Sequence, residues 1–455
     1  MSLLSILSAL PRRLLRLPLR LRLAAMACAA IAAVAGREWL ACSSPPATLD
    51  APPFSLHVRS PSESVPSPAA DLDIVYVSGF PANFAASVRS LCAFVRPARL
   101  GAVHVIVPDA MEAHFSAVAV RLSRRGGCAA LPFRVWPESA VVPAFTARAR
   151  HGGTVRQMAL KLAAAFIVNA PFYLVMDSDV FARRPFGVED LLTGGGGGGG
   201  APLRARPGLD DDDPAFAQPA SWFRESAALL GTSLIEDTAA YCAHRAGGGG
   251  ATWFAASGGA QLPAAPFALL PAGDAGGTVY GACRADRGLV THVTPMVLAR
   301  ALVRDVLAPR LARRGGKPWL DTLLAYQSAR ESACWQDVPL LRLRRFYTWT
   351  EYSLYFIAAV AAGALDQYHD FSAGGVTSLA HSVMTPERYD AADWRDVFAT
   401  DADTAPFFIV HSWLSTRGKS LADLVQTLDE FVPGLADRDD ADAGGAAPTP
   451  LPPYR

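Results

Sequence analysis

Hydrophobic positions change their period several times along the chain, and the changes mark out elements. Asp73–Val77 (DIVYV) is a short, β-branched apolar run that reads as a buried strand. Ala102–Val107 (AVHVIV) repeats the pattern and stops at Pro108, Phe133–Trp136 gives a third strand, and Phe172–Met176 (FYLVM) a fourth. Between them apolar residues recur at helical spacing, which predicts helices over 87–95, 111–125 and onward from Thr154. The last carries a stripe of Met158, Leu162, Ala165 and Phe166, and Thr154-x-x-Gln157 has the form of a capping box. Further helices are predicted over 221–230, 294–311, 318–329 and 349–362. Phe407–Val410 (FFIV) is a late strand that ends at His411, and Ser420-x-x-Asp423 opens a helix stocked with Leu424, Leu428 and Phe431. Strands alternating with helices predict an α/β fold around a mostly parallel sheet. Ligands of such sheets sit beyond the carboxyl ends of the strands, which is where Asp177-Ser178-Asp179 falls.

Other stretches have no period. Residues 1–22 carry Arg12, Arg13, Arg16, Arg20 and Arg22 and no acid, and an apolar run, Leu23–Ala35, follows. A basic flank before an apolar stretch predicts a cytoplasmic segment (1–22) and a signal-anchor (23–40). That run is short of the ~20 residues a spanning helix needs, so a cleaved signal peptide or an organelle transit peptide, including a plastid one, stands beside it. Residues 41–70 are rich in Pro, Ser and Ala and predict an extended stem. Anchor, stem and body together predict a single-pass type II protein of the Golgi membrane. The body, 71–435, is expected to be one catalytic domain. It is expected to be interrupted by a disordered insertion at 194–218, with glycines at 194–200 and Asp210–Asp213 in a run, and followed by a disordered polar tail at 436–455.

With 42 Lys and Arg against 41 Asp and Glu the chain is nearly neutral, so no nucleic-acid partner is expected. Lys occurs only at 161, 317 and 419 and Asn only at 83 and 169, so a Lys carries more information here than one of the abundant Arg residues. Six of the seven cysteines (42, 92, 128, 242, 283, 334) lie beyond the apolar run, without any Cys-x-x-Cys. A zinc site is not expected, and one or two disulfides are possible without a readable pairing.

The candidate chemistry centres on Asp177 and Asp179. Two carboxylates two apart on the turn after a buried strand can share one hard cation, Mn²⁺ or Mg²⁺, with substrate phosphate completing its sphere. The plainer alternative is an Asx-type turn closing a strand. Lys161 lies one helical turn after Gln157, with Arg156 in the first turn of the same helix. Either could reach an anionic ligand or simply face solvent.

The string RQMALKLAAAFIVNAPFYLVMDSDVFARRPF resembles the Asp-x-Asp region of GT-A fold glycosyltransferases, the nucleotide-diphospho-sugar transferase superfamily. FYTWTEYSLYFIAAV is similar to a string in a poorly characterised branch of that superfamily. The resemblance implies a Rossmann-like sheet, a nucleotide-sugar donor, a glycan or glycoconjugate acceptor and a hexosyl-type transfer. It places the metal on Asp177 and Asp179, with His411 as a further ligand and His292 (THVTP) as its rival. Arg156, Lys161, Ser178 and Lys419 would contact the donor. Glu351 (WTEY) would be the catalytic carboxylate, although Thr348-x-x-Glu351 also fits a capping box, and Trp349 and Tyr352 would either offer aromatic faces to the acceptor or pack in the core. Two other classes compete. A strand followed by Asp-x-Asp also opens haloacid-dehalogenase phosphatases, but these need Thr or Val where Phe181 stands. A non-catalytic, membrane-tethered sugar-binding protein would keep the fold without the reaction.

Overall fold

The computed structural model describes residues 70–124, 126–147, 153–194, 203–206, 226–231, 283–284, 288–289, 294–335, 349–362, 364–370, 380–383, 405–410, 426 and 430. The main elements in chain order are β1 (Leu72–Val77), α1 (Pro81–Phe94), β2 (Leu100–Val107), α2 (Glu112–Leu122), β3 (Phe133–Pro137), α3 (Gly153–Ala163), β4 (Phe172–Met176), β5 (Val180–Ala182), β6 (Met296–Ala299), α4 (Ala308–Gly315), α5 (Trp319–Trp335), α6 (Glu351–Ala361), β7 (Ala380–Val383) and β8 (Phe407–Val410).

A five-stranded sheet runs in the order β6-β4-β1-β2-β3. β1 pairs in parallel with both β2 and β4, and β2 with β3, while β6 closes the far edge antiparallel to β4. This is the expected α/β class, with a mostly parallel central sheet flanked by helices. Every residue of β1 and β4 is buried, which explains why their sequences, Asp73 apart, are runs of apolar and aromatic residues rather than alternating. Pro81 opens α1, where its missing N–H costs nothing. A smaller sheet, β7-β8-β5, pairs β8 in parallel with β7 and antiparallel with β5. A disulfide, Cys92–Cys128, ties α1 to the turn before β3.

Asp73 near the start of β1 is a buried anchor at the amino edge of the sheet. Its carboxylate accepts backbone N–H groups from Ala102 (2.7 Å), Asn169 (2.8 Å) and Ala170 (3.1 Å), so it pins the starts of β2 and β4 to β1. Burial alone would raise this carboxyl's pKa, but the neighbouring His104 and the N–H donors outweigh it and hold it below the usual value. His104 in turn accepts at Nδ1 from Trp136 Nε1 (3.1 Å).

Three expectations need correction. The helix predicted over 294–311 begins with a strand: Met296–Ala299 is entirely buried and pairs with β4, and a π-helical stretch, Leu302–Leu307, precedes α4. A short apolar run has no period that separates buried strand from buried helix. The insertion at 194–218 contains ordered backbone, since Arg204–Ala205 pairs antiparallel with Leu192–Thr193. The single-pass membrane placement is overturned: among the described residues no helix is long and apolar enough to cross a membrane. The 17-residue α5 is shorter than the ~20 residues a span requires. Segments 1–22, 23–40 and nearly all of 41–70, the tail 436–455 and the helix expected after Ser420, save residues 426 and 430, lie outside the described residues.

The chain divides into two compact units, one containing Leu323–Phe346 and the other Pro53–Thr322 with Tyr347–Arg455. The described part of the first is the latter portion of α5.

Candidate active site

The carboxyl edge of the central sheet gathers polar side chains around Asp177, which follows β4 directly. Asp177 Oδ1 accepts from Gln157 Nε2 (2.6 Å) and lies 2.9 Å from Lys161 Nζ. Its Oδ2 accepts from Lys161 Nζ (3.0 Å) and Thr294 Oγ1 (2.5 Å). Gln157 and Lys161 are four apart on α3 and so share one face of it. Thr294 arrives by sheet register: β6 pairs Met296 with Val175, and two residues further out stands Thr294 opposite Asp177.

Lys161 reaches a second carboxylate as well. Its Nζ is 2.9 Å from Glu351 Oε1, at the first residue of α6, and sits 5.6 Å from the centre of the Tyr352 ring. Lys161 is 4 % exposed and Glu351 3 %. Burial would push the ammonium's pKa down, but the charges of Asp177 and Glu351 prevail and raise it above the usual lysine value. The Tyr352 hydroxyl is pushed well up, first by burial and then by the same two carboxylates.

The capping role open to Glu351 is taken by its neighbours. Ser353 N–H donates to Thr350 Oγ1 (3.0 Å) and Thr350 N–H to Ser353 Oγ (2.9 Å), a reciprocal cap two residues later than Thr348-x-x-Glu351. Likewise Gln157, expected to cap α3, spends its amide on Asp177.

The turn that carries Ser178 and Asp179 is held from two sides. Val180 N–H donates to Asp177 C=O (3.1 Å) and Val410 N–H, at the end of β8, to Asp179 C=O (2.9 Å). From α1, Ser87 Oγ donates to Val180 C=O, and Ser90 Oγ accepts from Ala182 N–H (2.9 Å). Ser178 is buried and Asp179 half-buried. β8 thus brings the chain to Asp179 one residue before His411, but His411, Lys419 and His292 themselves lie outside the described residues. Among the described residues no three His, Cys, Asp or Glu side chains cluster closely enough to hold a metal.

Arg156 is placed elsewhere. It pairs with Glu138 at the carboxyl end of β3 and lies 5.0 Å over the Phe145 ring. Burial raises the Glu138 pKa, and Arg156 opposes the rise. Trp349 and Tyr352 are buried at 0 % and 2 % exposure, so neither turns a ring face outward. Among the described residues, Phe80, just past β1 and 56 % accessible, is an exposed aromatic at this edge. Sequence reasoning missed Thr294 and Glu138. Register against β4 would have found Thr294, and the pairing of Glu138 with a distant helix leaves no local signal.

A family model matches residues 84–235 and 278–436, more than half of the chain, and spans both Asp177 and Glu351. The chain belongs to DUF6492, a family of unknown function. No curated protein matches the DUF6492 chain. Solved structures similar to it include glucosyl-3-phosphoglycerate synthase from Mycobacterium tuberculosis, in complex with Mn²⁺, UDP and glucosyl-3-phosphoglycerate (15 % identity, 26 % of this chain and 36 % of that one, TM-score 0.19). Another is the apo form of the glycosyltransferase GlyE of Streptococcus pneumoniae TIGR4 (15 % identity, 29 % of this chain and 33 % of that one, TM-score 0.19). The chain spans about a third of the length of each.

Proposed function

We propose that this DUF6492 chain is a metal-dependent glycosyltransferase that moves a sugar from a nucleotide-diphosphate-sugar donor to a glycan or glycoconjugate acceptor, on a sheet of the GT-A kind. The observation that carries the reading is the buried chain Asp177–Lys161–Glu351 at the carboxyl edge of a mostly parallel sheet, on the turn that also bears Asp179. Asp177 and Asp179 bring carboxylate oxygens to one turn, the donor type that suits a hard divalent cation, Mn²⁺ or Mg²⁺.

The ligands in this reading are Asp179, Asp177 and His411. Asp177 also accepts from three side chains, Gln157, Lys161 and Thr294, with which a metal would compete. When bound, the metal stabilises the negative charge that develops on a departing diphosphate. Ser178 and Lys419 serve the donor directly. Lys161, already paired with both Asp177 and Glu351, acts through Asp177, and Arg156 supports the neighbouring strand end through Glu138. Glu351, held by Lys161, accepts the proton of the acceptor hydroxyl if the reaction inverts. Trp349 and Tyr352 wall the base of α6 beside it.

The test is a panel of nucleotide sugars incubated with the full chain and Mn²⁺, with and without EDTA. The expected result is slow hydrolysis of one donor that stops when metal is removed. Saturable binding of a sugar with no hydrolysis or transfer from any donor would overturn the enzymatic reading in favour of a binding protein.

A further inference from the structure

We propose that Lys161 is a positioning residue that transmits the charge of Glu351 to Asp177, so that Glu351 sets metal affinity without being a ligand. The inference rests on the metal reading above. Its basis is the placement of one ammonium between two carboxylates. Lys161 Nζ lies 2.9 and 3.0 Å from the two oxygens of Asp177 and 2.9 Å from Glu351 Oε1.

At 4 % exposure Lys161 has almost no water to take up its charge, so whatever one carboxylate loses the other gains. Asp177 cannot turn aside, because Gln157 and Thr294 hold its two oxygens from different elements. The aromatic ring of Tyr352 on the third side of the ammonium leaves it these two acceptors to divide between. A divalent cation arriving at Asp177 competes with Lys161 for the same oxygens. Glu351 is where the displaced ammonium goes: it weakens the hold of Lys161 on Asp177 and so eases metal entry.

The sign of this coupling separates it from simple attraction. If Glu351 acts through Lys161, its charge matters only while Lys161 is there. If it acts through space, its charge matters as much or more once Lys161 is removed.

The experiment is a double-mutant cycle on the Kd of Mn²⁺ alone, read by electron paramagnetic resonance of the free ion with the full chain and no donor. Glu351→Gln should weaken Mn²⁺ binding about 10-fold, and Lys161→Met should tighten it several-fold. In the Lys161→Met background, Glu351→Gln should change the Kd by less than about 2-fold. Lys161→Arg, which keeps the charge should Lys161→Met fail to fold, should preserve the roughly 10-fold loss. An equal or larger loss in the Lys161→Met background, or no loss in the Lys161→Arg background, would overturn the coupling and leave the metal site standing. A folded wild-type chain that binds no Mn²⁺ would overturn the metal reading and the coupling with it.

Discussion

Thr350 and Glu351 are adjacent, and the structure gives them separate work. Thr350 caps α6 through Ser353, while Glu351 turns into the cluster around Lys161. Thr350→Ala should therefore cost about 1 kcal/mol of stability and leave the transfer rate near normal. Glu351→Gln keeps the side chain's shape and leaves Lys161 its bonds to Asp177. It should melt within a few degrees of the wild type and lose on the order of 10²–10⁴ in transfer rate. Thermal denaturation and a transfer assay on the two variants check the division, and a Glu351→Gln enzyme with normal turnover would end the catalytic assignment. Gly101 makes a second point at this scale. A Cβ there would sit 2.1 Å from Asp73 Oδ1, and that carboxylate is fixed by three backbone N–H groups. Gly101→Ala should cost about 1–3 kcal/mol, read as a lower urea midpoint with an unchanged slope.

Among the elements, α1 does more than cover the sheet. Its two serines are bonded to β5, so the Asp-x-Asp turn is fastened to a helix nearly a hundred residues earlier. Ser90→Ala removes the acceptor for Ala182 N–H in a buried place and should cost about 1–3 kcal/mol in thermal stability, with donor KM rising more than kcat falls. Much of this architecture was legible beforehand. DIVYV, AVHVIV, FYLVM and FFIV are short, apolar and closed by polar or Pro residues, and each is a strand. The Asp-x-Asp turn was legible because a buried parallel strand must end somewhere polar. What stayed hidden depends on tertiary pairing. MVLA reads equally well as helix or strand until β4 offers it an edge. Gln157 reads as a cap until Asp177 is seen within 2.6 Å. Trp349 and Tyr352 read equally as a sugar platform or as core, because aromatic residues do not announce which way they face, and both are buried.

At the scale of the whole molecule, acid should act through two buried groups in separate windows. His369 is buried and its Nε2 shares a hydrogen bond with Tyr355 Oη (2.7 Å), whose oxygen accepts from Ala299 N–H. Burial pushes its pKa down to about 3 from the ordinary 6.5. Between those values the folded chain binds fewer protons than the unfolded one, so stability is full above about pH 6.5 and falls below it by up to about 1.4 kcal/mol per pH unit. His369→Phe should flatten that slope in urea titrations run from pH 7 to 5. Asp73 has a lowered carboxyl pKa, so its contribution is lost only at pH values below the usual carboxylate range. The β5–β8 pairing has its own consequence, in the order of synthesis. β5 is three residues long, and within the described residues its strand partner is β8, which is made more than two hundred residues later. Until the ribosome has released Val410, the turn that carries Asp179 has no backbone donor from β8 to hold it. A chain stopped at residue 404 should fold its central sheet yet expose β5 as an open strand edge, and should aggregate during expression where the full chain does not.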